Sequence, residues 1–465
     1  MKIKNNFKRC KNALKEIWQF NRVHVSKEMS LAYRVLKKHY IDLRIFGYKS
    51  GKKCGGWIVP PSWDVQKATL KDPKGKILAD FKKNKLSLWS YSSSFKGKLS
   101  LEKLKNKILS NPKKPTTTTW HFRNQYNFWK KEWGFSLPHN IYKNLRKGTY
   151  SVNIKTSFSK GKLEMAEDVH YGKVKDSFLF VGHFDHPQMC LDGLIGCLAG
   201  HELMKKIRRK KTNLTYRMLS AVEIIGSVFY AKHHGKKNKI KEALFISAPG
   251  SPINISYQQT FSKNNQIDKI TNHVLKNLNL NFKTYDFRKG VIGNDEIAYD
   301  TGGTNIPCGA LARSPFYSYH NDLDTPKGIS WKNFEDTMLV LEDIVHIFEN
   351  NAIIKRKFNT LPRLSSEVHD LYLSSDVISG LKGYSKSFNK DLLLKEIPDK
   401  TQNFIKKNTH KFNYLMNCMT NMCEGNKTIL DIAIHADLPF RLVENYINLW
   451  VQRKLLKKNW KHPFK

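Results

Sequence analysis

Apolar positions set the first divisions of the chain. Leu31, Val35, Leu36 and Tyr40 recur at helical spacing, so residues 1–48 read as helical and basic. At Gly55 the pattern changes. Trp57, Ile58, Val59, Pro60 and Pro61 make an extended run, and residues 77–81 and 86–89 read as strands joined through Lys83, Asn84 and Lys85, a hairpin. A helix over 101–109 and a loop over 111–115 complete a small β-rich module at 55–115. Next, Trp120, Phe122, Tyr126, Phe128, Trp129, Trp133 and Phe135 are interleaved with Arg123, Lys130 and Lys131. Such a run suits stacking on bases or sugars, or a helix whose aromatic face packs against the next domain.

From residue 149 to 350 strand-like and helix-like runs alternate. Strands are expected at 150–154, 177–181, 218–222, 243–248 and 308–312, and helices at 194–207, 227–233, 267–278 and 333–349. Gly193, Gly196, Ala199 and Gly200 make the first of these helices suited to close packing. Alternation of this kind predicts an α/β fold, a mostly parallel central sheet with flanking helices, over 116–354, with residues 1–54 packed on it. A polar linker over 355–403 leads to a last module at 404–465. There a short helix at 429–435, a turn at Asp437, Leu438 and Pro439, a second helix striped by Leu442, Val443, Tyr446, Ile447, Trp450 and Val451, and a wing at 455–458 form a winged-helix pattern. Such modules bind DNA or only proteins.

Composition adds limits. With 465 residues, 40% of them hydrophobic and 12% aromatic, the chain is expected to fold into two or three domains. A net charge of +42 fits either an anionic partner or a Lys-rich bias that decorates solvated faces. Arg supplies only 15 of the 81 cations, and these are spread along the chain, which favours the bias. The N-terminus lacks the apolar core of a signal peptide, and no apolar run reaches membrane-spanning length. Seven cysteines without zinc or disulfide spacing point to a reducing compartment, hence a cytoplasmic location.

The candidate chemistry starts at His183, Asp185, His186 and Pro187, at the end of a strand. Strand alternation would turn His183 and Asp185 to one side and His186 to the other. A carboxylate two positions on can take the second imidazole N–H of a ligating histidine, although a polar strand end without metal has the same letters. Asp192, before a Gly-rich helix, reads as an N-cap or as a metal carboxylate. Glu223 interrupts an apolar strand-to-helix turn, where a base beside an activated water would explain a costly carboxylate. Between Gly290 and Trp331, Asp295, Glu296, Asp300, Asp322 and Asp324 face only Arg313 and Lys327, in a stretch that begins with Gly293, Asn294, Asp295 and Glu296 and includes His320. So acidic a stretch in so basic a chain suits a cation.

In this order the motifs resemble the zinc aminopeptidase superfamily. The chain over roughly 40–460 is more closely similar to a family of aminopeptidase-like proteins with a small inserted β domain, a zinc-exopeptidase-like core and a C-terminal winged helix. The likeness rests on Trp57 to Pro61 with Trp63, Lys71-Asp72-Pro73, Trp129 to Leu137 with His139-Asn140, His183 to Gly196, Glu223 to Ser227, Asp295-Glu296 and Tyr319 to Asp324. The resemblance implies His183, Asp192 and His320 as metal ligands, with His186 a second candidate. It implies Glu223 as general base, Asp185 as a carboxylate behind the ligands and Asp295 as an acid near the substrate. Members of the family are associated with surface-polysaccharide biosynthesis.

Departures narrow the expectation. Two-metal aminopeptidases carry a second Glu after the base, where this chain has Ile224, and the acid of their next strand is missing from Ser247 to Pro252. Leu191-Asp192-Gly193 stands where the closer family has Asn-Asp, and Ile195-Gly196 where it has Ser-Gly. One zinc is therefore expected, with three protein ligands and an open position. The expected activity is hydrolysis of an amide or peptide bond in a small substrate. A binding or scaffold protein that has lost catalysis, and a nucleic-acid-binding protein using the winged helix, are the alternatives. For the last, only Arg441, with Glu444 beside it, lies near the start of the recognition helix.

Overall fold

Strands that are apolar along their whole length need cover on both faces, and the central strands of this protein have it. The computed structural model describes residues 7–278, 280–290, 294–365, 368–373 and 390–464. Residues 1–6 of the N-terminal segment, Gly293, residues 366–367 and 374–389 of the expected linker, and Lys465 lie outside the described residues. The chain divides into two units, residues 1–262 with 285–338, and residues 263–284 with 339–465.

The first unit is built on a mixed sheet. Its strands that lie wholly in this unit are β1 (Arg44–Lys49), β2 (Lys162–His170), β3 (Ser177–His183), β4 (Thr215–Ala221), β5 (Ile240–Ser247), β6 (Ile255–Gln258) and β7 (Cys308–Ala312). They lie in the order β1-β2-β4-β3-β5-β7-β6. Strands β4, β3, β5 and β7 are mutually parallel. Both flanks are antiparallel. The fold is the expected α/β architecture, with a parallel centre and antiparallel flanks. Every residue of β3 and β4 is buried. The helix Leu194–Ile207 covers the sheet closely, since a Cβ on Gly196 would lie 2.3 Å from the Ile246 carbonyl oxygen.

A smaller sheet lies in the same unit, in the order Ile77–Asp80, Ser62–Lys71, Thr149–Ser159, Phe95–Ser100. Trp63, Leu70, Tyr91, Phe135, Val152 and Ile154 form its core. Two expectations change here. Residues 86–89 are not the second strand of a hairpin, because Asn84 accepts from the Leu86 N–H and starts a 3-10 turn over Lys85–Ser87. The partner of Ile77–Asp80 is Ser62–Lys71. The strand expected at 150–154 belongs to this small sheet and not to the large one. Its one-sided burial fits either sheet, so its pattern alone did not distinguish them. The expected helix over 101–109 is short, Leu101–Lys105, followed by the strand Ile108–Leu109.

In the second unit, Ala352–Arg356 is the central strand between Glu424–Thr428 and Leu456–Trp460. Helices Ile429–Ala436 and Phe440–Gln452 flank the turn at Asp437, which is left-handed with φ 53°. Thr428 and Asp431 form a reciprocal cap at the first helix. Leu442, Val443, Tyr446, Ile447 and Trp450 are buried as their spacing implies. The helix Gln266–Asn277, expected in the α/β core, groups here instead, with Lys269 2.5 Å from Asp431 and Lys276 2.6 Å from Asp437.

Substituting Gly196→Ala sets about 1 kcal/mol of helix propensity against overpacking worth about 1–3 kcal/mol. The obstacle is a backbone oxygen, so a net loss is expected in urea unfolding. Gly302→Ala, where a Cβ meets nothing within 4 Å, should stay within about 0.5 kcal/mol of the parent.

Candidate metal centre

The carboxyl ends of β3 and β4 lie side by side, with His183 opposite Ala221. Open α/β sheets bind ligands at this edge. Strand geometry stops at His183: the Phe184 N–H still donates to the Ala221 carbonyl (2.7 Å), and then the chain folds back through His186 (φ 81°) and Gln188 (φ 51°). Alternation therefore does not carry beyond the strand, and His186 does not face away from His183. Their ring centroids are 4.8 Å apart.

Both imidazoles, and that of His320, converge on the buried carboxylate of Asp192. His183 Nε2 lies 3.1 Å from Asp192 Oδ1, His186 Nδ1 3.4 Å from Oδ2, and His320 Nε2 3.0 Å from Oδ2. Asp192 does not cap the following helix, which starts after Gly193 without a side-chain cap. Gly193, at φ +135°, leaves room for the cluster, as a Cβ there would sit 1.6 Å from His183 Cδ2. His186 Nδ1 also faces the Asp192 carbonyl oxygen at 3.2 Å, and its Nε2 lies 2.7 Å from Glu223 Oε2.

The remaining acids surround this cluster. Asp295 Oδ2 lies 3.4 Å from His183 Nδ1, and Asp295 Oδ1 accepts from the Ser227 hydroxyl at 2.5 Å. The carboxylate facing the far nitrogen of His183 is thus Asp295 and not Asp185. Asp185 instead accepts from the Glu223 N–H (2.9 Å) and lies 3.9 Å from both His186 and the buried His24. Asp324 accepts from the Leu191 and Asp192 N–H groups at 2.8 and 2.9 Å, fixing the backbone that carries Asp192.

Charges follow from this packing. Burial works against the charged form of every group here. For His183, Asp192 and Asp295 outweigh it and hold the imidazolium well above its usual range. For His186, Asp192 and Asp185 outweigh burial and raise it to about 10. Burial would raise Asp192, but His186, His183 and His320 hold it well below. Burial, aided by Glu223, raises Asp185 to about 7. Positive charge beside Asp192 is what the cluster demands, from protons or from a cation. Asp192 Oδ2, His320 Nε2, His183 Nδ1 and Asp295 Oδ2 are all buried without a well-directed hydrogen bond. Among the described residues His183, His186 and Asp192 form a group able to hold a metal ion, their donor atoms within 4.8 Å of one another. Two imidazoles and a carboxylate are a donor set that suits zinc.

Several supporting residues carry no motif. Arg22 is fully buried: Nε donates to the Phe184 carbonyl (2.8 Å), Nη2 to that of Met189 (2.6 Å), and Nη1 to those of Ile17 and Trp18 (both 3.0 Å). It stands in a buried stretch, 21–26, between helices Lys8–Ile17 and Lys27–His39, so residues 1–48 are not helical throughout. An arginine among apolar Val23 and Val25 was the available signal. Trp120 presents its ring to His186 and His320, with centroids 4.5 and 5.0 Å away, while its Nε1 donates to Ser90 Oγ. The aromatic run around it is no continuous helix; it holds Arg123–Tyr126 and a 3-10 turn, Phe128–Lys130.

Residues 11–351 match the family described as "Domain of unknown function (DUF4910)". The chain is a DUF4910 protein. A curated Clostridium acetobutylicum protein, named for polysaccharide biosynthesis and an aminopeptidase-like domain, is 26% identical over 449 residues, which cover 96% of this chain and 95% of that one. The crystal structure of a candidate peptidase from Clostridium acetobutylicum matches with TM-score 0.79 and 25% identity, over 97% of the DUF4910 chain and 96% of the other. BSAP, a zinc aminopeptidase from Bacillus subtilis, shares the fold at TM-score 0.52 and 11% identity, over 72% of this chain and 94% of its own. The fold of this chain is aminopeptidase-like.

Arg22 supports both limbs of the His183–Asp192 loop. Replacing it by Met removes the donor to the buried Phe184 and Met189 carbonyls, and urea unfolding should show a loss of about 3 kcal/mol or more. Arg22→Lys should recover only part, since an ammonium cannot span the same fork.

Proposed function

We propose that this protein is a single-zinc hydrolase of the aminopeptidase type, cleaving an amide or peptide bond. The observation that carries the reading is the convergence of three imidazoles on one buried carboxylate at the carboxyl edge of an aminopeptidase-like sheet. His183, Asp192 and His320 would hold the ion, and His186 stands close enough to replace one of them. Zinc in such a set supplies a Lewis acid for the scissile carbonyl and lowers the pKa of a water.

The protein's own groups account for the rest. Burial would raise Glu223, but His186 and His183 keep it below the usual carboxylate range, so its ionised form is favoured. Its carboxylate is the part of the cluster most open to solvent, at 19%. In this scheme Glu223 takes a proton from the attacking water and delivers it to the leaving amine. Asp185 holds the Glu223 backbone, and Asp295 orients His183. Trp120 limits water on the His186–His320 side. The relative's name joins polysaccharide biosynthesis to an aminopeptidase-like domain, which supports a role for this hydrolase in polysaccharide metabolism. A cytoplasmic location is supported by seven free cysteines. Among the described residues no helix is long and apolar enough to cross a membrane.

A scaffold without catalysis is the second reading, favoured by Ile224 and by the lack of an acid from Ser247 to Pro252. The winged-helix nucleic-acid reading is weakened within the second unit. Arg441 donates to Asp343 at 2.7 Å, and Glu444 lies 2.6 Å from His346, so the groups expected to read bases are already engaged.

Purified protein should carry close to one zinc per chain, and Asp192→Asn should lose it. Glu223→Gln should keep the metal and lose roughly 100-fold or more in amide hydrolysis. Zinc retained in Asp192→Asn, by elemental analysis, would overturn the ligand assignment. Zinc loss in His186→Ala but not in His320→Ala would move the third ligand to His186. Bound zinc without turnover of amide, peptide or N-acyl sugar substrates would favour the scaffold.

A further inference from the structure

The end of the large sheet opposite His183 carries a concentration of positive charge that the proposed hydrolase does not use. Helix Leu194–Ile207 runs out through Lys205-Lys206-Ile207-Arg208-Arg209-Lys210-Lys211, six cations in seven residues. The turn after β2 lies beside it, tied by the Lys173 N–H to the Thr212 carbonyl (3.0 Å) and the Val174 N–H to that of Asn213 (2.9 Å). Together the two turns line an open depression of about 440 Å³ that includes His170, Tyr171, Lys173, Arg209, Lys210 and Lys211.

The acids nearby are already used. Arg208 takes Asp168 and Asp42. Asp176 lies 3.9 Å from Lys241. Lys173, Arg209, Lys210 and Lys211 are exposed, and among the described residues their side chains have no partner. An all-round coding bias would scatter such charges; here they line one hollow. An aromatic ring stands among them: Tyr171 is 76% exposed. Flexible cations around an open hollow, without a fixed bidentate fork, suit a row of phosphates better than one small anion. An exposed ring beside them suits an unstacked base.

We propose that this depression binds single-stranded nucleic acid, with phosphates on Lys173, Arg209, Lys210 and Lys211 and a base on Tyr171. The test uses the full chain and a fluorescent single-stranded RNA 20-mer, followed by anisotropy across a salt series. Replacing the four cations by Ala should weaken binding about tenfold or more at low salt and reduce the salt slope by roughly 3, near 0.7 per lost phosphate contact. Lys71, Lys74, Lys76 and Lys82 replaced together remove the same charge from the small sheet and should change affinity less than twofold. Tyr171→Ala should weaken binding about fivefold with the salt slope kept. Lys210→Glu alone serves as a second variant should the quadruple one fail to fold, and should weaken binding at least threefold. Equal losses in the two quadruple variants would overturn the site in favour of general charge. An unchanged Tyr171→Ala, or dextran sulfate competing as well as unlabelled RNA, would overturn the nucleic-acid assignment and leave a polyanion read by charge alone.

Discussion

The carboxylate of Asp192 is buried against three imidazoles, and most of the first unit is arranged to keep it there. An isolated carboxylate in such a place would take up a proton, because desolvation penalises its charge. Three nitrogens within 3.4 Å reverse that preference, but they do so only if the backbone presents the side chain against them. Asp324 supplies that constraint through two N–H groups, and Gly193 supplies the room. Burial raises Asp324 itself to about 7, against its own hydrogen bonds. Strain and charge are thus concentrated in one loop, between the last residue of β3 and the first turn of its helix.

A second constraint follows from the first. A loop that turns its side chains toward a polar cluster leaves its carbonyls inside, and buried carbonyls need donors. Arg22 provides them from a segment far away in sequence, donating to both Phe184 and Met189. The N-terminal segment therefore helps to define the loop geometry, and its buried 21–26 stretch is the physical reason it packs on the sheet. Trp120 plays the comparable part on the other side, closing the His186–His320 flank with an apolar ring.

What could be read in advance depended on whether a signal was local. The apolar run of β3, the Gly-rich helix and the stripe from Leu442 to Trp450 are local signals, so they were legible. Membership of Thr149–Ser159 in the smaller sheet was not, because one-sided burial does not name the partner strand. His183, Asp192, Glu223 and His320 were legible as unusual polar positions, while their distances were not. The side taken by His186 was misread because alternation was extended past the end of a strand into a left-handed turn. Arg22 and Asp324 stand out as charged letters, but the backbone groups they hold leave no mark in a sequence.

The same distinction bears on Ile224. In the letters it is an absence, a position where a second acid would stand. In the folded chain its side chain packs against the cluster of Met165, Leu219, Tyr230 and Phe245, on the apolar side of the sheet. The residue is half-buried, and its side chain covers one edge of that hydrophobic cluster. An acid placed there would meet apolar side chains on one side. The imidazole of His186, meanwhile, stands between Asp192 and Glu223, where it supplies a nitrogen from the neighbouring strand end. The residue after Glu223 thus packs against apolar side chains, and the nitrogen that faces the Glu223 carboxylate comes from His186.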